Sequence, residues 1–61
     1  MRRYRIEFVD HGGNVFDRRY LDNEDDQAAV DEAHRLHVPG IGAGFNVWQG
    51  DRLVHQHRGR G

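Results

Sequence analysis

Apolar and polar residues alternate most regularly at the start of the chain. Tyr4, Ile6 and Phe8 occupy every second position between Arg3 and Val9, and charged residues occupy most of the positions between them. This period of two is typical of a half-buried β-strand. The glycine-containing segment that follows, residues 10–14, predicts a turn, because glycine adopts positive φ angles at little cost.

A second strand is predicted from Val15 to Leu21, but its pattern fits two registers. A loop of odd length places Phe16 and Tyr20 on the apolar face of the first strand. A loop of even length places Val15 and Leu21 there instead, and a β-bulge would reconcile the two. We expect Leu21 to be buried, because it leads directly into the next element.

The central segment from Asn23 to His37 predicts an α-helix. Its weakly apolar face follows the i, i+4, i+7, i+8 spacing and consists of Ala29, Ala33, Leu36 and His37. Asn23 is expected to cap the helix, with Asp26 in the capping-box position. Pro39 ends the helix, and the glycine-rich residues 40–44 are interpreted as a flexible connector.

A second hairpin is predicted from residues 45–49 and 52–57. Gly50 and Asp51 between them suit a two-residue type II′ turn, with glycine at the first central position. This turn predicts two cross-strand pairs on opposite faces of the sheet, Val47 with Val54 and Trp48 with Leu53. One pair should contact the helix, and the pattern leaves open which one.

Together these elements predict an α+β fold of ββαββ order. We expect an antiparallel sheet of two β-hairpins with one helix packed on one face. Its 61 residues suffice for a single small domain, 1–61, and residues 58–61 are expected to form a disordered tail. A domain of this size buries only about 60% of its unfolded surface, so further support from self-association is expected.

Composition restricts the chemistry that the chain can perform. It has no serine, threonine, cysteine or lysine, and all nine basic residues are arginines. Nucleophilic catalysis by Ser, Thr or Cys and Schiff-base formation by Lys are therefore excluded, and we predict that the protein is not an enzyme and uses no cofactor. No apolar run reaches the length of a signal peptide or a membrane span, which favours a cytoplasmic location without membrane contact.

The order of these segments resembles a family of short ββαββ proteins of unknown function from α-proteobacteria. The similarity lies in the opening from Tyr4 to Asp10, the glycine-rich turn, the acidic start of the helix over 25–33, and the ending from Val47 to Val54. The resemblance implies a bacterial protein with the fold given above. The family has no assigned activity, so the resemblance implies no site residues.

Four of the five histidines form two pairs with spacings compatible with metal ligation. His34 and His37 share one helix face, and His55 and His57 share one strand face. Imidazoles bind Zn²⁺, Ni²⁺ or Cu²⁺, so a transition-metal binder is one alternative function. Neither spacing supplies a third ligand, and we predict that the histidines do not form a preformed metal site.

Arginines near the two ends of the chain could form a basic patch. Its candidate residues are Arg2, Arg3, Arg5 and Arg58, with Tyr4 as an aromatic neighbour. Arginine beside an aromatic ring suits single-stranded nucleic acid, which makes a nucleic-acid-binding accessory protein a second alternative. However, the net charge is only −1, and the one helix begins with acidic residues. We therefore expect no sequence-specific binding to duplex DNA, and nucleic acid is not the favoured partner.

The function we favour from the sequence is a small non-catalytic module that self-associates or binds a protein partner. If Val47 and Val54 contact the helix, Trp48 and Leu53 lie on the uncovered side, and exposed apolar patches of that kind commonly mark interfaces. The predicted interface residues are Trp48, Leu53 and His55, in a homodimer. The alternative, that Trp48 belongs to the core, is left open by the pattern.

Overall fold

The computed structural model describes residues 1–37 and 43–59. The elements are β1 (Arg2–Val9), β2 (Val15–Asn23), α1 (Asp26–Leu36), β3 (Gly44–Gln49) and β4 (Arg52–Arg58). The predicted ββαββ order and α+β class are confirmed. The described α1 is only 11 residues long and is too short and too polar to cross a membrane.

The four strands form one antiparallel sheet in the order β2-β1-β3-β4. Each predicted hairpin is present, and β1 pairs with β3 to join the two. The outer strands are therefore β2 and β4, and α1 packs on one face of the sheet. We call this the helix face and the opposite one the uncovered face.

The core lies between α1 and the two central strands. Its buried cluster consists of Tyr4, Ile6, Phe8, Ala29, Ala33, Phe45 and Val47. The predicted alternation in β1 is confirmed, because its three apolar residues all belong to this cluster. The buried helix residues are both alanines, whose small side chains let the helix lie close to the sheet.

The N-cap of the helix lies two residues later than the sequence indicated. Asp25, not Asn23, is the N-cap, and its carboxylate accepts a hydrogen bond of 2.8 Å from the Ala28 amide. Asn23 is instead the last residue of β2 and donates its side-chain amide to Glu32 on α1. The prediction of Asn23 as the cap was wrong, because strand pairing with Arg2 extends β2 to this residue.

The even register of the first hairpin is the one observed, modified by a bulge. Leu21 pairs with Tyr4 and packs against the core, as expected. The register shifts after Phe8, which pairs with Asp17, while Val9 pairs with Val15. Phe16 is therefore the extra residue of the bulge. This irregularity leaves Val15 42% exposed, although the even register had placed it on the apolar face.

A second bulge changes which face of the sheet the later residues of β4 lie on. Trp48 pairs with Leu53 across the two-residue turn, as predicted, and Gly50 has the positive φ of 59° that this turn needs at its first position. Val47, however, pairs with His55, not with Val54. Val54 is an extra residue, so every later residue of β4 faces the opposite way from the simple alternation.

The N-terminal end of α1 is held to the sheet by a shared carboxylate. Tyr4 donates its hydroxyl to Asp26 Oδ1 at 2.7 Å, and Arg52 donates to both Asp26 oxygens at 3.0 and 3.2 Å. The hydrogen bond from Arg52, followed by that from Tyr4, lowers the pKa of Asp26. Asp26 therefore joins α1, β1 and β4, a role different from the predicted capping box.

Two predicted irregular segments are described only in part. Residues 38–42, with Pro39 and most of the predicted connector, lie outside the described residues. Ala43 donates its amide to the Val9 carbonyl at 2.8 Å, and Gly44 is already part of β3. In the predicted tail, Arg58 belongs to β4, and residues 60–61 lie outside the described part of the chain.

Candidate functional site

The uncovered face presents one row of mainly apolar side chains across all four strands. The registers place Tyr20, Arg5, Trp48 and Leu53 side by side, from β2 through β1 and β3 to β4. We call this set the Trp48 row. Val47 faces the helix and is fully buried, so Trp48 lies on the uncovered face and outside the core cluster.

The side chains of the Trp48 row are packed together but remain accessible. The Arg5 guanidinium carbon lies 5.4 Å from the centre of the Trp48 ring, within the range of a cation–π contact. Tyr20 is 61% exposed and Leu53 is 45% exposed. An apolar surface of this kind, with an arginine at its centre, has the composition of a protein interface.

A second row, centred on Glu7, holds Trp48 in place. The Glu7 row consists of Arg18, Glu7, Asn46 and Gln56, again one residue from each strand. Glu7 Oε1 accepts a hydrogen bond of 2.9 Å from the indole nitrogen of Trp48 and one of 3.4 Å from Asn46. This carboxylate therefore orients the tryptophan ring on the surface.

The charge of Glu7 is offset by two neighbouring arginines. Its Oε2 lies 3.4 Å from Arg5 Nε and 3.7 Å from Arg18 Nε. Arg5 Nε is buried and is not aligned for a hydrogen bond, so its contact with Glu7 is purely an ion pair. Positive and negative groups therefore lie side by side next to the Trp48 row. A partner surface that also carries both signs of charge would complement them.

The four arginines of the predicted basic patch do not share one surface. Strand alternation puts Arg2 on the helix face, while Arg3, Arg5 and Arg58 lie on the uncovered face. Arg3 is paired with Asp22 at 2.9 Å, and Arg58 donates to the Asn46 side chain and to the Phe45 and His57 carbonyls. Tyr4 is fully buried and bonded to Asp26, so it cannot stack on a base.

The fold brings the two predicted histidine pairs together on the helix face. We call His34, His37, His55 and His57 the histidine cluster. The ring centroids are 5.0 Å apart for His34 and His57, 5.4 Å for His37 and His57, and 5.9 Å for His34 and His55. All four rings contact Phe45, at centroid distances of 5.0–6.0 Å. Sequence spacing could not show this, because the pairs come from α1 and β4.

The cluster shifts the titration of His57. Burial, followed by the neighbouring His34, His37 and His55, lowers the pKa of His57. Both effects disfavour the charged imidazolium, so His57 carries its neutral form at neutral pH.

The position of His55 corrects part of the predicted interface. Because Val54 is an extra residue, His55 faces α1 and lies outside the Trp48 row. Tyr20 and Glu7, which were not among the predicted site residues, are central to the uncovered face. The even register would have placed Tyr20 away from the core, but nothing local in the sequence selects that register over the other.

Comparisons with protein-family models, with curated proteins and with solved structures found no match to this chain. The resemblance to short α-proteobacterial ββαββ proteins therefore stays a prediction. Any functional proposal depends on the geometry of the uncovered face and of the histidine cluster.

Proposed function

We propose that the protein is a non-catalytic binding module that forms a homodimer through its uncovered sheet face. The observation that carries this proposal is the Trp48 row, in which accessible Tyr20 and Leu53 flank Arg5 and Trp48. A surface of this composition differs from an ordinary solvated sheet face, where polar side chains predominate. The absence of Ser, Thr, Cys and Lys from the chain supports a non-catalytic role.

A second copy of the chain suits this surface in shape and charge. A two-fold axis parallel to the strands sets β2 of one protomer over β4 of its partner, so Tyr20 lies near the partner's Leu53. The acidic Glu7 and its arginine neighbours supply both signs of charge on each copy. The two longer dimensions of the molecule, 33 and 21 Å, give a face comparable with the about 800 Å² per partner of stable interfaces.

We predict that Tyr20→Ala and Leu53→Ala each weaken the dimer. Both side chains are accessible and lie outside the core cluster, so their removal affects association more than folding. Loss of such an anchor typically weakens the binding free energy by about 2 kcal/mol or more, which raises the dissociation constant roughly 30-fold. Sedimentation equilibrium of each variant and of the wild type at matched micromolar concentrations measures the change.

Arg35→Ala is the control, because it shortens an exposed side chain on α1, on the opposite side of the sheet. We expect it to dimerise like the wild type. A wild type that stays monomeric throughout the micromolar range would refute the proposal. An effect of Arg35→Ala equal to that of Tyr20→Ala would place the contact elsewhere.

A second candidate function is the binding of single-stranded nucleic acid on the same face. The observation that favours it is Arg5, which lies between Tyr20 and Trp48 in adjacent strands. Stacking of a base on an aromatic side chain contributes about 1–3 kcal/mol, and arginine adds attraction for the phosphates.

For this candidate we predict that a fluorescent oligothymidylate binds at low salt and loses affinity steeply as salt rises. Tyr20→Ala should weaken binding about tenfold by removing one stacking surface. Fluorescence anisotropy at several salt concentrations measures both effects. Binding that is absent at low salt, or that does not change with salt, excludes this function.

A further inference from the structure

The histidine cluster is a second site, independent of the proposed dimer face. It lies on the helix face, where the last turn of α1 meets the outer strand β4. His57 is central, because its ring contacts those of both His34 and His37. The bulge at Val54 produces this arrangement, since in a strand without a bulge Val54 would pair with Val47, and His55 and His57 would face the other way.

The spacing of the rings matches that of imidazoles on one metal ion. Two imidazoles bound to Zn²⁺ through bonds of about 2.0–2.1 Å in tetrahedral geometry have centroids roughly 5 Å apart. The observed separations from His57 are 5.0 Å to His34 and 5.4 Å to His37. His34 and His37 are three residues apart, so they are neighbours on the helix surface. The backbone therefore already holds the His57 ring at ligating separation from the rings of His34 and His37.

The ring nitrogens of His34 and His57 are also chemically available. Within residues 1–37 and 43–59, the side chains of His34 and His57 make no hydrogen bond, and their contacts are ring contacts. His34 is exposed and His57 is half-buried. In the same described residues, no three His, Asp or Glu side chains are arranged to hold a metal ion as they stand. Ligation therefore requires the rings to turn about their Cβ–Cγ bonds, a broad torsion whose rotation leaves the ring centroids nearly in place.

We propose that the histidine cluster binds one divalent transition-metal ion of the Zn²⁺ and Ni²⁺ class, with His34, His37 and His57 as ligands. Neutral nitrogen donors select these ions over Ca²⁺ and Mg²⁺, which take oxygen ligands. His55, 5.9 Å from His34, lies outside the ligand set, and water completes the coordination. The bound ion links the carboxyl end of α1 to the outer strand β4 and stabilises the folded state.

Isothermal titration calorimetry with Zn²⁺, and separately with Ni²⁺, tests this proposal on the full chain. We expect saturation at one ion per chain and no binding of Mg²⁺. His57→Ala should lower the affinity at least tenfold, since even indirect support of a ligand contributes that much. His11→Ala is the matched control, because His11 is an exposed histidine in the β1–β2 turn and outside the cluster.

Two further variants separate ligation from packing. The His57 ring stacks on Phe45 with an interplanar angle of 29°, so alanine at this position also removes a core contact. His57→Phe retains an aromatic ring but has no nitrogen, and we expect a folded protein, by circular dichroism, that has lost Zn²⁺ binding. His55→Ala should bind within a few-fold of the wild type. Wild-type protein that shows no saturable binding, or a His57→Phe variant that binds normally, would refute the site. An effect of His55→Ala as large as that of His57→Ala would refute the ligand assignment.

Discussion

Replacing Phe45 with alanine is expected to remove a large part of the protein's free energy of unfolding and to lower its urea midpoint strongly. Phe45 is fully buried and lies edge-on to Phe8, and all four rings of the histidine cluster pack around it. Truncation of a buried phenylalanine typically costs about 3–5 kcal/mol. A domain of 61 residues is expected to have a total stability of only about 3–9 kcal/mol. The loss therefore amounts to between about a third and all of the free energy of unfolding.

Circular dichroism and urea denaturation measure this effect. Phe16→Ala is the control, because it removes the same side chain from a position that is 50% exposed and outside the core cluster. We expect it to change the free energy of unfolding by less than about 1 kcal/mol. Both variants should be compared at a concentration at which the wild type is monomeric, since dimerisation adds apparent stability. A Phe45→Ala variant as stable as Phe16→Ala would show that Phe45 is not the centre of the core.

The second large loss of stability is expected for Gly44→Ala at the start of β3. A β-carbon at this position would overlap the carbonyl oxygen of His57 and lie 3.1 Å from Cα of Arg58. These are backbone atoms of the neighbouring strand, so relief of the overlap requires β3 and β4 to separate locally. Overpacking of this kind typically costs about 1–3 kcal/mol, which exceeds the gain from a less flexible unfolded chain.

A lower urea midpoint for Gly44→Ala, with an unchanged slope of the transition, is the expected result. Gly12→Ala is the control, because a β-carbon there would meet only side-chain atoms, with Asn14 Nδ2 at 3.2 Å. Equal midpoints for the two variants would mean that β4 does not approach Gly44 as closely as the structure shows. The same experiment tests the position of His57, whose backbone makes the contact.

Local patterns were sufficient to predict the element order and the buried face of β1. Tyr4, Ile6 and Phe8 alternate without interruption, and a strand of period two has only one way to bury all three. The start of α1 was harder to locate, because residues 22–26 are all polar and several of them can cap a helix. The choice of Asp25 depends on distant contacts, since Asp26 is bound by Tyr4 and Arg52.

The face of the sheet on which each residue lies after a bulge could not be predicted from the sequence. Phe16 and Val54 are the extra residues, and neither has a local signal such as a glycine that would mark a bulge. The predicted strands were correct, but the face assigned to His55 was wrong. The proximity of the four histidines depends on this facing and on the position of α1. The interface role of Trp48 and Leu53 stays a prediction.

The extra residue in β4 has a consequence at the level of the gene. An in-frame deletion of the Val54 codon removes the bulge and makes His55 the direct neighbour of Leu53, opposite Val47 as before. Simple alternation then keeps His55 and His57 on the helix side of the sheet and Gln56 on the uncovered side. A single codon can therefore be lost at this position without moving either imidazole to the other surface, and evolution can change the length of the strand there while the face of every later residue is kept.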